Sequence, residues 1–358
     1  MDRRRGRLVN QDESTPIQAA VGVVAIGRNE GDRLKRCLHS AIATTDRVVY
    51  VDSGSTDGSC DFARSLGVEV IDLDTSRPFT AARARNAGIE RLKQLWPGLV
   101  FVQVVDGDCE FADNWIESAC EFLMAHPSCA CVCGRRRERF PDASIYNRII
   151  DLEWDTPIGP TKSCGGDALF RLDPLLAVGG YRDSLIAGEE PELCVRLRAA
   201  GWSVHRLDHE MTLHDAAMTR FSQFWKRAKR AGHAYAEGAA LHGSGPDRHG
   251  VRGTRSAILW GLVLPVLAAL AAWWTFGISL MLLALLYTFQ AWRIRKGNIR
   301  RGRSSRDATL VGLFTMLAKP AQASGVLLFW RRRLFGQRST LIEYKRSTSS
   351  SPTEGTHA

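Results

Sequence analysis

No glycine-rich phosphate loop of either common kind follows the first apolar run of this chain. Val21 to Ile26 (VGVVAI) leads into Gly27-Arg28-Asn29-Glu30-Gly31, which has neither the G-x-G-x-x-G of a dinucleotide site nor the G-K-S/T of a P-loop. Nicotinamide and ATP-hydrolase chemistry are thereby disfavoured. The start, MDRRRGRLVNQDESTPIQ, is charged with no apolar stretch after it, so residues 1–18 read as a flexible lead-in and not as a signal peptide. The nine cysteines form no C-x-x-C pair, are odd in number and all precede the long apolar region, which points to reduced thiols in the cytosol. Acidic residues are scarce after Val251: three, against sixteen Lys/Arg, a net of +13 in a chain of formal charge +10. The first 250 residues therefore carry about −3, the basicity is C-terminal, and no nucleic-acid partner is expected.

What is present first is an alternation of apolar runs and helical periods. Val21–Ile26, Arg47–Val51 (RVVYV), Val68–Leu73 (VEVIDL), Leu99–Glu110 (LVFVQVVDGDCE) and the CACVC run from Cys129 read as strands. Between them, Leu34, Cys37, Leu38 and Ile42 recur at helical spacing, and further helices are expected from about Thr80 and from Asn114 to Ala125. Strands alternating with helices make a doubly wound α/β half-domain, in which ligands bind at the carboxyl ends of the strands. The cysteines of CACVC serve there as small hydrophobes.

Asp106 and Asp108 fall at such a strand end. Two carboxylates one residue apart with no basic neighbour would repel each other unless a divalent cation, Mg²⁺ or Mn²⁺ carrying a substrate phosphate, shares them; a polar turn is the equal alternative. Asp52, ending the second strand in DSGSTDG, can accept from a base or ribose, or only stabilise its turn, while Ser55 or Thr56 can cap the helix that follows. Arg83 and Arg85 lie early in a helix, where the dipole disfavours cations, so either a diphosphate partner or a solvated basic face explains them. Glu189, Glu190 and Glu192 gather at another helix start, and Arg135 to Leu185 loosens into what reads as a substrate-binding insertion.

In order along the chain, VVAIGRNEG, VVYVDSGSTDG, AARARNAGIE, VVDGD, GGDALFR with VGGYRDSL, GEEPELCVRLRAAGW and His214 resemble the family 2 glycosyltransferases, over roughly Val21 to Trp225. The resemblance implies a GT-A fold, α/β and Rossmann-like, with a mainly parallel sheet and flanking helices, and inverting, metal-dependent transfer from a nucleotide-diphospho-sugar (UDP- or GDP-sugar). By the same resemblance Asp52 contacts the base, Asn29 and Glu30 shape that pocket, and Arg85 lies by the diphosphate. Asp106 and Asp108 form a DXD-type motif for ribose and metal, with His214 as another metal or phosphate contact. Glu190 or Glu189 supplies the general base; the family's usual Asp is here a Glu, so both stay candidates. Two other classes are weighed. A non-catalytic sugar-nucleotide-binding subunit of a membrane assembly would explain the Glu-Glu pair; a sugar-1-phosphate nucleotidyltransferase would need a glycine- and basic-rich loop where GRNEG stands.

Ser256 to Ala291 is 36 residues without a charge, broken at Trp273-Trp274-Thr275-Phe276-Gly277 and flanked on both sides by arginines. That length exceeds one span of ~20 residues, and the flanks place both ends in the cytoplasm, giving a transmembrane hairpin. The expected layout is a catalytic domain over 19–240, a linker over 241–255, the hairpin over 256–292, a basic cytoplasmic loop over 293–307, a third membrane-associated helix over 308–333 and a disordered tail over 334–358. The Phe221–Arg230 helix is either interfacial or an ordinary surface helix. The whole reads as an inner (plasma) membrane enzyme facing the cytoplasm and serving a lipid-linked or polysaccharide acceptor in cell-surface glycan synthesis.

Overall fold

A computed structural model describes residues 20–74, 76–77 and 79–337; the lead-in over 1–18 and the tail beyond 337 lie outside the described residues. In chain order the elements are β1 (Val21–Gly27), α1 (Asp32–Ile42), β2 (Val48–Asp52), α2 (Ser59–Ser65), β3 (Glu69–Asp72), α3 (Ala81–Leu95), β4 (Phe101–Asp106) and β5 (Cys109–Phe111). There follow α4 (Trp115–Ala125), β6 (Cys129–Glu138), α5 (Ile145–Trp154), β7 (Gly159–Pro160), β8 (Ala168–Arg171), α6 (Leu172–Ala177), α7 (Glu189–Ala199) and β9 (Ser203–His214). Last come α8 (Phe221–His242), α9 (Val251–Ala271), α10 (Ile278–Arg300) and α11 (Ser305–Leu334).

One sheet runs in the order β3-β2-β1-β4-β8-β6-β9-β5, with β7 on β9. Its first half is parallel, as the alternation predicts: β1 pairs with β2 and β4, and β2 with β3. The second half is mixed, because β8 runs antiparallel between β4 and β6 while β6 and β9 are parallel. The stretch read as an insertion thus completes the sheet. Only four residues of β8 pair, too short a run for periodicity to separate from a loop. β1 and β4 are buried almost throughout, and Gly88 lets α3 lie directly on Val24 and Val51, since a Cβ there would stand 2.3 Å from Val24 Cγ1. The one polar intruder, Gln103, is buried and satisfied, accepting from Trp115 Nε1 at 2.9 Å.

Two local expectations change. Asp57, and neither Ser55 nor Thr56, serves the start of α2, its Oδ1 accepting from the Ser59 N–H at 3.1 Å, because Ser55 is already engaged by Asp52. The basic stretch 293–307 is helical up to Arg300, which puts its cations on the final turns of α10 where the dipole favours them.

The C-terminal helices pack through small residues. A Cβ on Gly232 of α8 would lie 1.9 Å from Gln322 O of α11, and one on Gly261 of α9 would lie 2.1 Å from Lys319 O. Such contacts bring backbones close without large side chains between them. Among the described residues two helices, α9 and α11, are long and apolar enough to cross a membrane. The turn between α9 and α10 exposes Trp273, Trp274 and Phe276, and α10 presents Leu282, Leu285 and Phe289 outward.

Candidate active site

The parallel ladders bring the ends of β1, β2 and β4 together. Ile26 is in register with Asp106 and Gly27 with Asp52, so the loops after these strands share one rim. Asn29 locks two of those loops, its Oδ1 accepting the Thr56 N–H at 2.8 Å and its own N–H donating to Ser55 Oγ at 2.8 Å. Glu30 pairs with Arg33 at 2.9 Å. Asp52 is buried and accepts from Tyr50 OH, the Gly54 and Ser55 N–H groups and Ser55 Oγ. Through these bonds the carboxylate fixes the loop that forms the rim.

Asp106 is not without basic neighbours. Arg85 Nη2 donates to its Oδ1 at 2.7 Å and Arg136 Nη2 to its Oδ2 at 3.0 Å. Arg85 is brought there by α3, whose N-cap Thr80 accepts from the Arg83 N–H, and it is buried and held also by Glu189 Oε1 at 2.8 Å and Gly166 O at 3.2 Å. Arg83, by contrast, turns to the Arg77 and Asp74 carbonyls and leaves the site. Gly166 lies close against this pair, since a Cβ there would stand 3.0 Å from Asp106 Oδ2. Arg136 also grips the fully buried Asp167, which accepts the Asp106 N–H at 3.0 Å.

After Asp106, Gly107 donates its N–H to Ile26 O at 2.7 Å, and the turn swings Asp108 inward to full burial. There Asp108 Oδ2 stands 3.2 Å from Nε2 of His214, the last residue of β9, whose Nδ1 lies 3.3 Å from Glu138 Oε2. Burial pushes the imidazole down, but Asp108 and Glu138 outweigh it and hold its pKa above the ordinary value. Asp108 and His214 are the residues of this centre that could hold a metal ion. Their ligand atoms converge within 4.8 Å together with Cys109 Sγ, and a carboxylate behind the imidazole is the arrangement that orients a ligating histidine. Asp106, with both oxygens on guanidiniums, faces the rim as the more exposed acid.

Glu189 and Glu190 open α7 after Gly188, whose φ of 78° makes a left-handed turn into the helix, and the helix start meets Arg85 through Glu189. Glu189 points to Arg85. Glu190 turns the other way and is buried, its Oε1 accepting from the Cys164 N–H at 2.5 Å and from the Cys164 and Cys194 thiols at 2.9 and 3.0 Å. Burial raises its pKa, and these hydrogen bonds pull it back in part. Arg136, Glu138, Asp167, Cys164 and Cys194 were not singled out by sequence reasoning. Asp167 lies inside GGDALFR, and the other four carry no spacing that would mark them.

One cleft of about 980 Å³ is lined by Arg28, Asn29, Glu30, Arg85, Asp106 and the Glu189–Glu190 helix start and continues onto α8 and α11, while Asp52, Asp108 and His214 stand behind its lining.

Residues 23–167 match the model of the glycosyl transferase family 2. Over those residues the chain is similar to a family 2 glycosyltransferase domain. Among curated proteins it is similar to the succinoglycan biosynthesis protein ExoA of Rhizobium meliloti (strain 1021), 24% identical over 237 residues, covering 61% of this chain and 69% of the relative. Among solved structures its fold is that of the mannosyltransferase PcManGT from Pyrobaculum calidifontis, determined with GDP-Man and Mn²⁺, at 19% identity and a TM-score of 0.54 over 85% and 86% of the two chains. The family match of the glycosyltransferase domain ends at Asp167, so it includes the DGD turn and leaves out Glu189, Glu190 and His214.

Proposed function

We propose that this chain is a family 2 glycosyltransferase, a membrane-anchored inverting enzyme that transfers a sugar from a UDP- or GDP-sugar to a lipid-linked or polysaccharide acceptor in cell-surface glycan synthesis. The observation that carries it is the Arg85 bridge, which joins Asp106 on the donor rim to Glu189 at the helix start, so that one acid of each pair meets the other on the wall of one cleft. The relative named for succinoglycan biosynthesis supports the polysaccharide setting, and the neighbour determined with GDP-Man and Mn²⁺ supports a nucleotide-sugar and a divalent cation.

In this reading Asp108 and His214 hold Mg²⁺ or Mn²⁺, with Glu138 fixing the imidazole. The ion's contribution is to neutralise charge on the leaving diphosphate. Arg85 sits where it can meet the same diphosphate, and the loop set by Asp52, Asn29 and Glu30 seats the nucleoside. Glu190 takes the proton of the acceptor hydroxyl. A desolvated carboxylate with a raised pKa is the better base, whereas Glu189 is spent on Arg85. The exposed apolar faces of α9 and α10, and the basic turns after them, support anchorage with the catalytic domain on the cytoplasmic side of the inner membrane.

The test is a melting-temperature screen of the full chain with Mn²⁺ against UDP- and GDP-sugars, followed by transfer to membrane extracts with the product anomer assigned. One nucleotide-sugar should raise the melting temperature and yield inverted product. Stabilisation without any transfer would mark a binding subunit and overturn the catalytic reading.

A further inference from the structure

The cleft changes character along its length. Its nucleotide end has two cations, Arg28 and Arg85, among four carboxylates, Glu30, Asp106, Glu189 and Glu190. Its far end, between α8 and α11, reverses the balance: Arg227, Arg230 and Lys319 face it with one carboxylate, Glu153, which pairs with Arg227 at 2.6 Å. The walls around these cations are Phe224, Tyr235 and Phe314.

Lys319 is the single formal charge between Ala308 and Trp330 of α11. It meets a neutral partner, donating to Gln322 Oε1 at 3.1 Å, and both residues line the cleft. A lysine in the middle of an apolar helix is costly and marks a functional contact. Its backbone is rigidly placed, because the Gly232 contact on Gln322 O and that of Gly325 on Lys229 O, where a Cβ would stand at 2.0 Å, pin α11 against α8. On α8, Arg227 and Arg230 are three residues apart and each stands four before an alanine of the same lining, Ala231 and Ala234, so the arginines share the face turned to Lys319.

Cations with aromatic walls beside outward apolar helices suit an amphiphile with an anionic head. A neutral sugar hydroxyl needs no such charge. We propose that Arg230, Lys319 and Arg227 form a subsite for the phosphate or diphosphate headgroup of a lipid carrier, which presents the acceptor to the Glu190 end of the same cleft. This choice of acceptor rests on the transferase reading above.

The test measures binding of farnesyl phosphate, farnesol and inorganic phosphate to the full chain in detergent, saturated beforehand with Mn²⁺ and UDP or GDP to fill the donor end. Farnesyl phosphate should bind at least about tenfold more tightly than farnesol or phosphate, Lys319→Gln and Arg230→Gln should each weaken it by about tenfold, and Lys319→Arg should restore it. Equal binding of farnesol, or farnesyl phosphate binding untouched in both variants, overturns the subsite. Inorganic phosphate binding as tightly as the amphiphile overturns the lipid carrier in favour of a free anion. Failure of every nucleotide-sugar to bind or react would instead sink the transferase reading, and it leaves a Lys319-dependent affinity for farnesyl phosphate measurable by itself.

Discussion

The Asp106–Asp108 pair ends a strand and the Glu189–Glu190 pair opens a helix, yet in each pair one acid is held by Arg85 and the other turns away from it. Asp106 and Glu189 share that guanidinium at 2.7 and 2.8 Å. Asp108 is buried on His214, and Glu190 is buried on the thiols of Cys164 and Cys194. The backbone makes the division. Gly107 breaks the strand alternation that would have put Asp106 and Asp108 on one face, and consecutive helix residues point about 100° apart. Neighbouring acids thus receive opposite environments, an arginine-neutralised one at the rim and a desolvated one behind it. In the proposed mechanism the two acids on Arg85 position, and the two turned away from it, Asp108 and Glu190, handle metal and proton.

If that division is right, Glu190→Gln should have the largest effect, lowering kcat by about 10²–10⁴ with nucleotide-sugar affinity retained. Glu189→Gln should act mainly on KM for the donor, through a loosened Arg85. Steady-state kinetics of the two variants side by side break the comparison if their effects are interchanged. Arg85→Met should come next. It leaves Glu189 without its cation and Asp106 with Arg136 alone, and breaking a buried pair costs about 3–5 kcal/mol, so denaturant unfolding should show a large loss of stability together with loss of transfer. Glu138→Gln is expected to be milder. Removing the carboxylate behind a ligating imidazole typically costs about 10–100-fold in metal affinity, to be read as the Mn²⁺ concentration needed for half-maximal activity.

The first acidic pair was legible in the sequence in a way that the second was not. VVDGD carries its own apolar run, so strand, turn and acids are read together, and the parallel half of the sheet follows from the same alternation. The mistaken part was its electrostatics. Arg85 is 21 residues before Asp106 and Arg136 is 30 after it, and only the pairing of β4 with β8 and of β8 with β6 brings Arg136 across. For Glu189 and Glu190 the helix start was plain, but which acid faces Arg85 depends on the left-handed Gly188 turn, and the environment of Glu190 depends on cysteines 26 residues before it and four after it. Cysteine used as a small hydrophobe and cysteine used as a hydrogen-bond donor look the same in a sequence. The hairpin break at Trp273–Gly277 was readable because composition alone sets it. The central place of α11 was not, since it rests on glycine contacts with α8, α9 and α10.

The smallest effect sharpens the same contrast by titration. Burial raises the Glu190 carboxyl, and the Cys164 and Cys194 thiols lower it by donating to the charged form. Cys194→Ala removes one donor, so the pKa of Glu190 should climb further, and the acid limb of the kcat profile should move to higher pH by up to about one unit. The stability sign is fixed by the same shift. Between the unfolded carboxyl's pKa and the raised native value, the folded chain keeps a proton that the unfolded chain has released, so stability falls as pH rises through that window. Cys194→Ala should widen it. Glu189 makes no contact with either thiol, so a base at Glu189 would leave the acid limb where it is in the wild type, and that outcome would move the proton-accepting role to the arginine-bound member of the pair.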